Sequence, residues 1–146
     1  MKILITGGPR VGKSYLAKEL SIKYGIRHYC TDPQNMCDPH VNGVPDFITD
    51  WSEQSKYVVQ NWIGKKDLIE GVAVPRSLRK WRKANPTAPL PCDRLIILEG
   101  NRDILNTKQE GMKKSTLKIM KDVIDSWPEL GQIAEVINIH GNMKVL

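Results

Sequence analysis

Apolar positions along the chain follow two periods. Short aliphatic runs at 2–6, 26–31, 67–74, 94–98 and 135–139 read as five strands. Between them, apolar residues recur at helical spacing. Leu16, Ala17, Leu20 and Tyr24 share one face of a helix over 13–24, which Gly25 stops. Trp51, Ser55, Val58, Val59 and Trp62 share a face behind Asp50, which forms a capping-box pattern with Glu53. A third helix spans 76–84, with Pro75 at its start, where a missing N–H does no harm. The fourth spans 116–127, with Leu117, Met120, Ile124 and Trp127 on one stripe. Residues 33–48 hold three Pro, one Gly and two Asn, and read as a long loop. Strands alternating with helices predict βαβ units, hence a three-layer α/β fold around a parallel five-stranded sheet.

Composition narrows the class. At 146 residues the chain predicts a single domain, 1–146. With 40% hydrophobic and 26% charged residues it is neither disordered nor collagen-like. The longest aliphatic run, Leu95-Ile96-Ile97-Leu98, falls far short of the ~20 residues a membrane span needs. The N-terminus is too short in apolar residues for a signal peptide. Together with three cysteines, an odd number, this predicts reduced thiols in a cytoplasmic setting. The net charge of +6 is uneven: residues 64–94 hold eight Lys/Arg against three acids, leaving an excess of one for the remainder. Such a field suits an anionic partner; the alternative is a solvated helix face.

The sharpest signal is Gly7-Gly8-Pro9-Arg10-Val11-Gly12-Lys13-Ser14, a full G-x-x-x-x-G-K-[ST] (Walker A) match. Its chance occurrence in a chain of this length is on the order of 1%. An apolar strand precedes it and an amphipathic helix follows, the context in which glycines let backbone N–H groups turn around phosphate oxygens. Lys13 is expected to reach the β- and γ-phosphates of ATP, and Ser14 to ligate Mg²⁺.

Ligands of open α/β sheets sit beyond the carboxyl ends of the strands. Asp32 follows the second strand, Glu70 lies in the third and Glu99 follows the fourth. Asp32 is read as the general base beside Mg²⁺, against a turn cap before Pro33. Glu70 is read as holding substrate or a metal-bound water, against a solvent-facing strand residue. The absence of an aliphatic run ending in Asp-Glu disfavours a mechanical ATPase. Arg76, Arg79, Lys80 and Lys83 recur at i, i+3, i+4 and i+7, one cationic helix face suited to a moving phosphoryl group. Asn101-Arg102 and Lys113-Lys114 bracket a segment, 101–115, read as a lid or a plain surface loop. His28, Cys30, Cys37 and His40 are four soft ligands within thirteen residues, a candidate zinc set whose spacing matches no common finger. A buried Cys30 and a loop His40 are the alternative.

The phosphate loop, Asp32 after strand two and a basic segment after strand three resemble the small P-loop kinases of nucleotides, shikimate and gluconate, with a Rossmann-like sheet of adenylate-kinase-like topology. Asp50-Trp51-Ser52-Glu53-Gln54-Ser55, the stretch from Ile69 to Trp81, and Thr107-Lys108-Gln109-Glu110-Gly111-Met112-Lys113-Lys114 are similar to short bacteriophage P-loop proteins, some of them 5-hydroxymethyluracil DNA kinases. That resemblance implies ATP- and Mg²⁺-dependent phosphorylation of a hydroxyl, with 5-hydroxymethyluracil in DNA as acceptor. It puts phosphate binding on Gly7 to Ser14 and base or substrate work on Asp32 and Glu70. With the reading of the residues above, catalysis falls to Lys13, Asp32 and Arg76. Substrate binding falls to Asp32, Glu70, Arg76, Arg79 and Lys113, and the metal to Ser14 and Asp32. Two further readings stand beside it: a kinase of a free nucleoside, nucleotide or small hydroxyl-bearing metabolite, and a nucleotide-dependent switch without an acceptor. The Asp-Arg pair typical of thymidylate kinases after strand three is represented here by Glu70 with the more distant Arg76.

Overall fold

In a computed structural model, residues 1–101 and 104–140 are described; for Asn101, Ile139 and His140 this covers the backbone only. The elements run β1 (Ile3–Gly7), α1 (Lys13–Tyr24), β2 (His28–Pro33), a 3₁₀ turn (Gln34–Met36), β3 (Asn42–Val44), α2 (Trp51–Asn61), β4 (Leu68–Glu70), α3 (Val74–Ala84), β5 (Arg94–Asn101), α4 (Thr107–Asp125), α5 (Pro128–Ile133) and β6 (Ala134–His140). The sheet has six strands in the order β3-β2-β4-β1-β5-β6, and every pairing is parallel.

The expected five strands are therefore corrected to six. The addition is β3, inside the stretch expected to be a loop. Its sequence, Asn-Gly-Val, carries no apolar run. The side chain of Gln34 makes it a strand: Nε2 donates to the Val41 carbonyl at 2.9 Å, and Oε1 accepts from Gly43 N–H at 2.7 Å.

Alternation of side chains along β1 and β5 splits the core. Ile3 and Ile5, with Leu68, Ile96 and Leu98, pack on Leu16, Ala17 and Leu20 of α1. Leu4, Ile69, Leu95 and Ile97 face the opposite way, toward Val58, Leu78, Met120 and Trp127 from the region of α2 to α4. The helices that follow the neighbouring strands β1 and β4 thus lie on opposite faces. This is the switch point at which α/β sheets open a crevice.

Several boundaries move. Helix α4 begins at Thr107, nine residues earlier than expected, because Asn106 and Gln109 form a reciprocal capping box. Residues 107–115 are therefore helix, not loop; Arg102 lies outside the described residues. The box expected at Asp50 does not form: Asp50 caps α2 without a side-chain bond. Asp32 lies within β2 and Glu99 within β5, not beyond them. The short helix α5 was not anticipated. Trp81, on α3, stacks on Trp127 with ring centroids 6.0 Å apart, in the core. Among the described residues no helix is long and apolar enough to cross a membrane.

Candidate functional site

The loop between β1 and α1 takes its shape from backbone that few side chains tolerate. Gly7 has φ 155°, and a Cβ there would stand 2.6 Å from the Leu98 carbonyl oxygen of β5. Arg10 adopts φ 57° and Gly12 φ 100°, both left-handed. Gly12 is the N-cap of α1, and no side chain caps the first turn. The N–H groups of that turn are thereby left to the cleft, together with the positive end of the helix.

Four side chains that sequence reasoning singled out meet here. Lys13, Ser14, Asp32 and Glu70 line one cleft of about 490 Å³, with Val72 and Met112 as apolar walls. The Lys13 ammonium donates to the Gly8 carbonyl at 2.6 Å. Burial lowers its pKa, against the opposing pull of Glu70 and Asp32. Ser14 Oγ donates to Glu70 Oε2 at 2.7 Å. Glu70 is only 1% exposed, so it is no solvent-facing strand residue. Its Oε2 also pairs with His28 Nε2 at 2.9 Å. An ionised carboxylate only accepts, so the His28 N–H is the donor. Burial pushes the Glu70 carboxyl up, but the hydrogen bonds from His28 and Ser14, with the charges of His28 and Lys13, outweigh it and hold the group below the usual carboxylate range.

Asp32 moves the other way. Burial and the charge of Glu70 raise its pKa, opposed by a hydrogen bond from Cys30 and by Lys13. Two carboxyls sharing a cleft with their affinities for protons driven apart is the pattern of divided acid–base roles. The donors present, a hydroxyl and two carboxylates, are hard oxygens of the kind Mg²⁺ takes alongside phosphate, so the residues fit that ion.

The remaining candidates separate. Arg76 does not line the cleft. Its guanidinium lies 4.8 Å from the Trp51 ring centroid and donates to Ser115 Oγ at 3.3 Å. Arg79 is exposed on α3. Lys113 leans on the phosphate loop: a Cβ at Gly8 would stand 2.7 Å from its Cγ. Of the two readings of His28, Cys30, Cys37 and His40, the structure has the buried Cys30 and exposed loop His40, not the zinc set. Among the described residues no group of three or more His, Cys, Asp or Glu is arranged to hold a metal. His28 is committed to Glu70, and the Cys37 thiol faces the carbonyls of Asp32 and Pro33 at 3.5 and 3.4 Å. Sequence reasoning missed His28 as the partner of Glu70. The pairing needs the register of β2 on β4, which sets His28 opposite Leu68, two residues from Glu70 on the same face.

No family model matches the chain, and no curated protein matches it in sequence. Among solved structures, it is similar to the shikimate kinase of Aquifex aeolicus, at 14% identity and a TM-score of 0.52, over 99% of this chain and 89% of that one. A shikimate kinase from Bacteroides thetaiotaomicron follows at 12% identity and a TM-score of 0.46, over 97% of this chain and 86% of that one. The likeness to the Aquifex protein shows the fold: a parallel α/β sheet with its helices, shared across nearly the whole chain.

Proposed function

We propose that the chain is an ATP- and Mg²⁺-dependent kinase that phosphorylates a hydroxyl of a small-molecule acceptor. The observation that carries this reading is the facing of Lys13 and Ser14, at the end of a complete phosphate loop, with Asp32 and Glu70 in one cleft. The shikimate kinase fold supports it. The loop N–H groups and Lys13 bind and orient the phosphates. Ser14 and Asp32 would hold Mg²⁺, which neutralises charge on the β- and γ-oxygens when bound; Glu70 aims the Ser14 hydroxyl. Asp32, with its raised affinity for protons, takes the proton of the acceptor O–H. The acceptor oxygen forms the new O–P bond as the bond from the γ-phosphorus to the bridging oxygen breaks, and ADP leaves. Met112 and Lys113, carried by α4, close the cleft from above the loop.

A second reading, with 5-hydroxymethyluracil in DNA as acceptor, draws on the exposed cations Arg79 and Lys83. One experiment separates the two. The protein is incubated with γ-labelled ATP and modified DNA, plain DNA, or a panel of nucleosides and small metabolites, across a salt series. Label in a small molecule, with little response to salt, is the expected result. Label in modified DNA, falling steeply with salt, would establish the second reading instead. Slow hydrolysis indifferent to every acceptor would leave a nucleotide-dependent switch, and no Lys13-dependent turnover at all would remove the kinase reading.

A further inference from the structure

A second cavity, of about 400 Å³, runs along the flank of α1. It shares Ser14, Tyr15, Asp32, Met36 and Glu70 with the phosphate cleft and extends beyond it to Lys18, Ser21, Ile22 and Val41. One wall is the α1 surface; the other is the chain between the 3₁₀ turn and β3. Helix α1 packs over β4, β1 and β2, and His28, Cys30 and Asp32 of β2 with Glu70 of β4 floor the groove.

The lining is of two kinds. Ile22 and Met36, 71% and 73% exposed, and Tyr15 form an apolar rim. Large apolar side chains left this open are informative when they converge on one concavity. The floor is polar and ends at the Asp32 carboxylate. Three carboxyl groups line the groove, from Asp32, Asp38 and Glu70, against one lysine, Lys18, and two histidines, His28, which pairs with Glu70, and His40. That balance repels phosphate and carboxylate groups, while the rim offers a ring face and the floor offers hydrogen-bond acceptors to hydroxyls. The volume is ordinary for a small-ligand pocket.

We propose that this groove is the acceptor site, and that it takes an uncharged, ring-bearing alcohol. The ring lies against Tyr15, Ile22 and Met36, and a hydroxyl reaches Asp32 from the side opposite the phosphate loop. The assignment deepens the kinase reading and rests on it for the role of Asp32; the binding itself is tested without turnover.

The probes are thymidine, uncharged, and thymidine 5′-monophosphate, the same ring with two added charges. They are titrated into the full chain while the methyl resonances of Ile22 and Val41, which line only the groove, and of Val72 and Met112, which line only the cleft, are followed by NMR. Thymidine should shift Ile22 and Val41 saturably, and the monophosphate should bind there at least about tenfold more weakly. Ile22→Glu should weaken thymidine binding by about tenfold or more, whereas Ile22→Leu should retain it. The inference is overturned if thymidine shifts only Val72 and Met112, if it shifts nothing, or if the monophosphate moves Ile22 and Val41 at equal concentration. ATP binding by the unmutated chain is measured separately. Its absence would sink the kinase reading, and the Ile22 and Val41 shifts would still decide the groove.

Discussion

Replacing His28 by Phe keeps a ring of similar size in a buried site and removes one hydrogen-bond donor. The His28 side chain is 7% exposed and its partner, Glu70, 1%, so water has little access to replace the lost N–H. A hydrogen bond to a charged group contributes about 1.5–3 kcal/mol, and here the acceptor stays behind, buried and ionised. The expected loss of about 2–3 kcal/mol is a large share of the ~5–15 kcal/mol that holds a domain together. Its pH dependence is the sharper test. With His28 present, the Glu70 pKa lies below its ordinary value. That stabilisation is fully present above the unfolded-state pKa and is lost as pH falls through the folded one. Without His28, burial is opposed only by the Ser14 hydrogen bond and the Lys13 charge, so the folded pKa rises. The stability that ionised Glu70 contributes shrinks with that rise. The gap between the two proteins should therefore be small in acid and widen toward neutrality. Urea unfolding at a series of pH values measures it. Repeating the comparison in a Glu70→Gln background separates Glu70 from the titration of His28 itself, and there the widening should disappear. A gap that is flat with pH, or that widens equally in the Gln background, would refute the argument.

Three further outcomes are expected. Lys13→Ala should leave the melting temperature nearly unchanged and lower turnover by about 10²–10³ or more, read as labelled product per unit time, because it removes a preorganised charge from the transferring group. Asp32→Asn should preserve ATP affinity while turnover falls by roughly 10²–10⁴; a turn cap alone would instead lower the melting temperature and spare turnover. Gly71→Ala should destabilise by at least about 1–3 kcal/mol in thermal or urea unfolding, since Gly71 has φ 148° and an added Cβ would stand 1.8 Å from Thr31 Oγ1.

The parallel sheet was legible because each long strand is an aliphatic run and each helix an amphipathic one. What escaped was whatever carries no apolar run of its own. Strand β3 is three residues long and owes its place to Gln34, nine residues before Gly43. The start of α4 was hidden because its first two turns, Thr107 to Lys114, are almost wholly polar, so the apolar stripe begins only at Leu117. Its capping box was readable from Asn106 and Gln109, whereas the equally plausible pattern at Asp50 and Glu53 forms no such bond. A motif that fits a local rule still competes with tertiary alternatives. There, Gln54 spends its amide on the carbonyls of Ile48 and Thr49.

The phosphate loop was legible as a motif, and Asp32 and Glu70 as strand-end acids; the basic segment stayed open for a reason that itself makes a prediction. Periodicity counts cations on a face without saying what the face meets. Of the eight cations in 64–94, six have partners within the chain. Lys65 bonds the Gln60 carbonyl, and Lys66 lies over Tyr29. Arg76 stacks on Trp51, and Lys80 donates to Ser52 and Ser55 of α2. Arg82 covers Trp127, and Arg94 pairs with Glu135. A guanidinium that clamps one helix to another is not at liberty to follow a nucleic-acid backbone. That leaves Arg79 and Lys83 exposed on α3. Two phosphate contacts give a salt slope of about two, whereas proteins that track a duplex through 6–10 contacts show slopes several times steeper. Any DNA affinity of this chain should therefore lose no more than about two units of slope to Arg79→Ala and Lys83→Ala together, measured by fluorescence anisotropy across a salt series. A slope of four or more that remains in the double variant would mean that further cations of the chain reach phosphate, and the small-acceptor reading would give way to the polyanion.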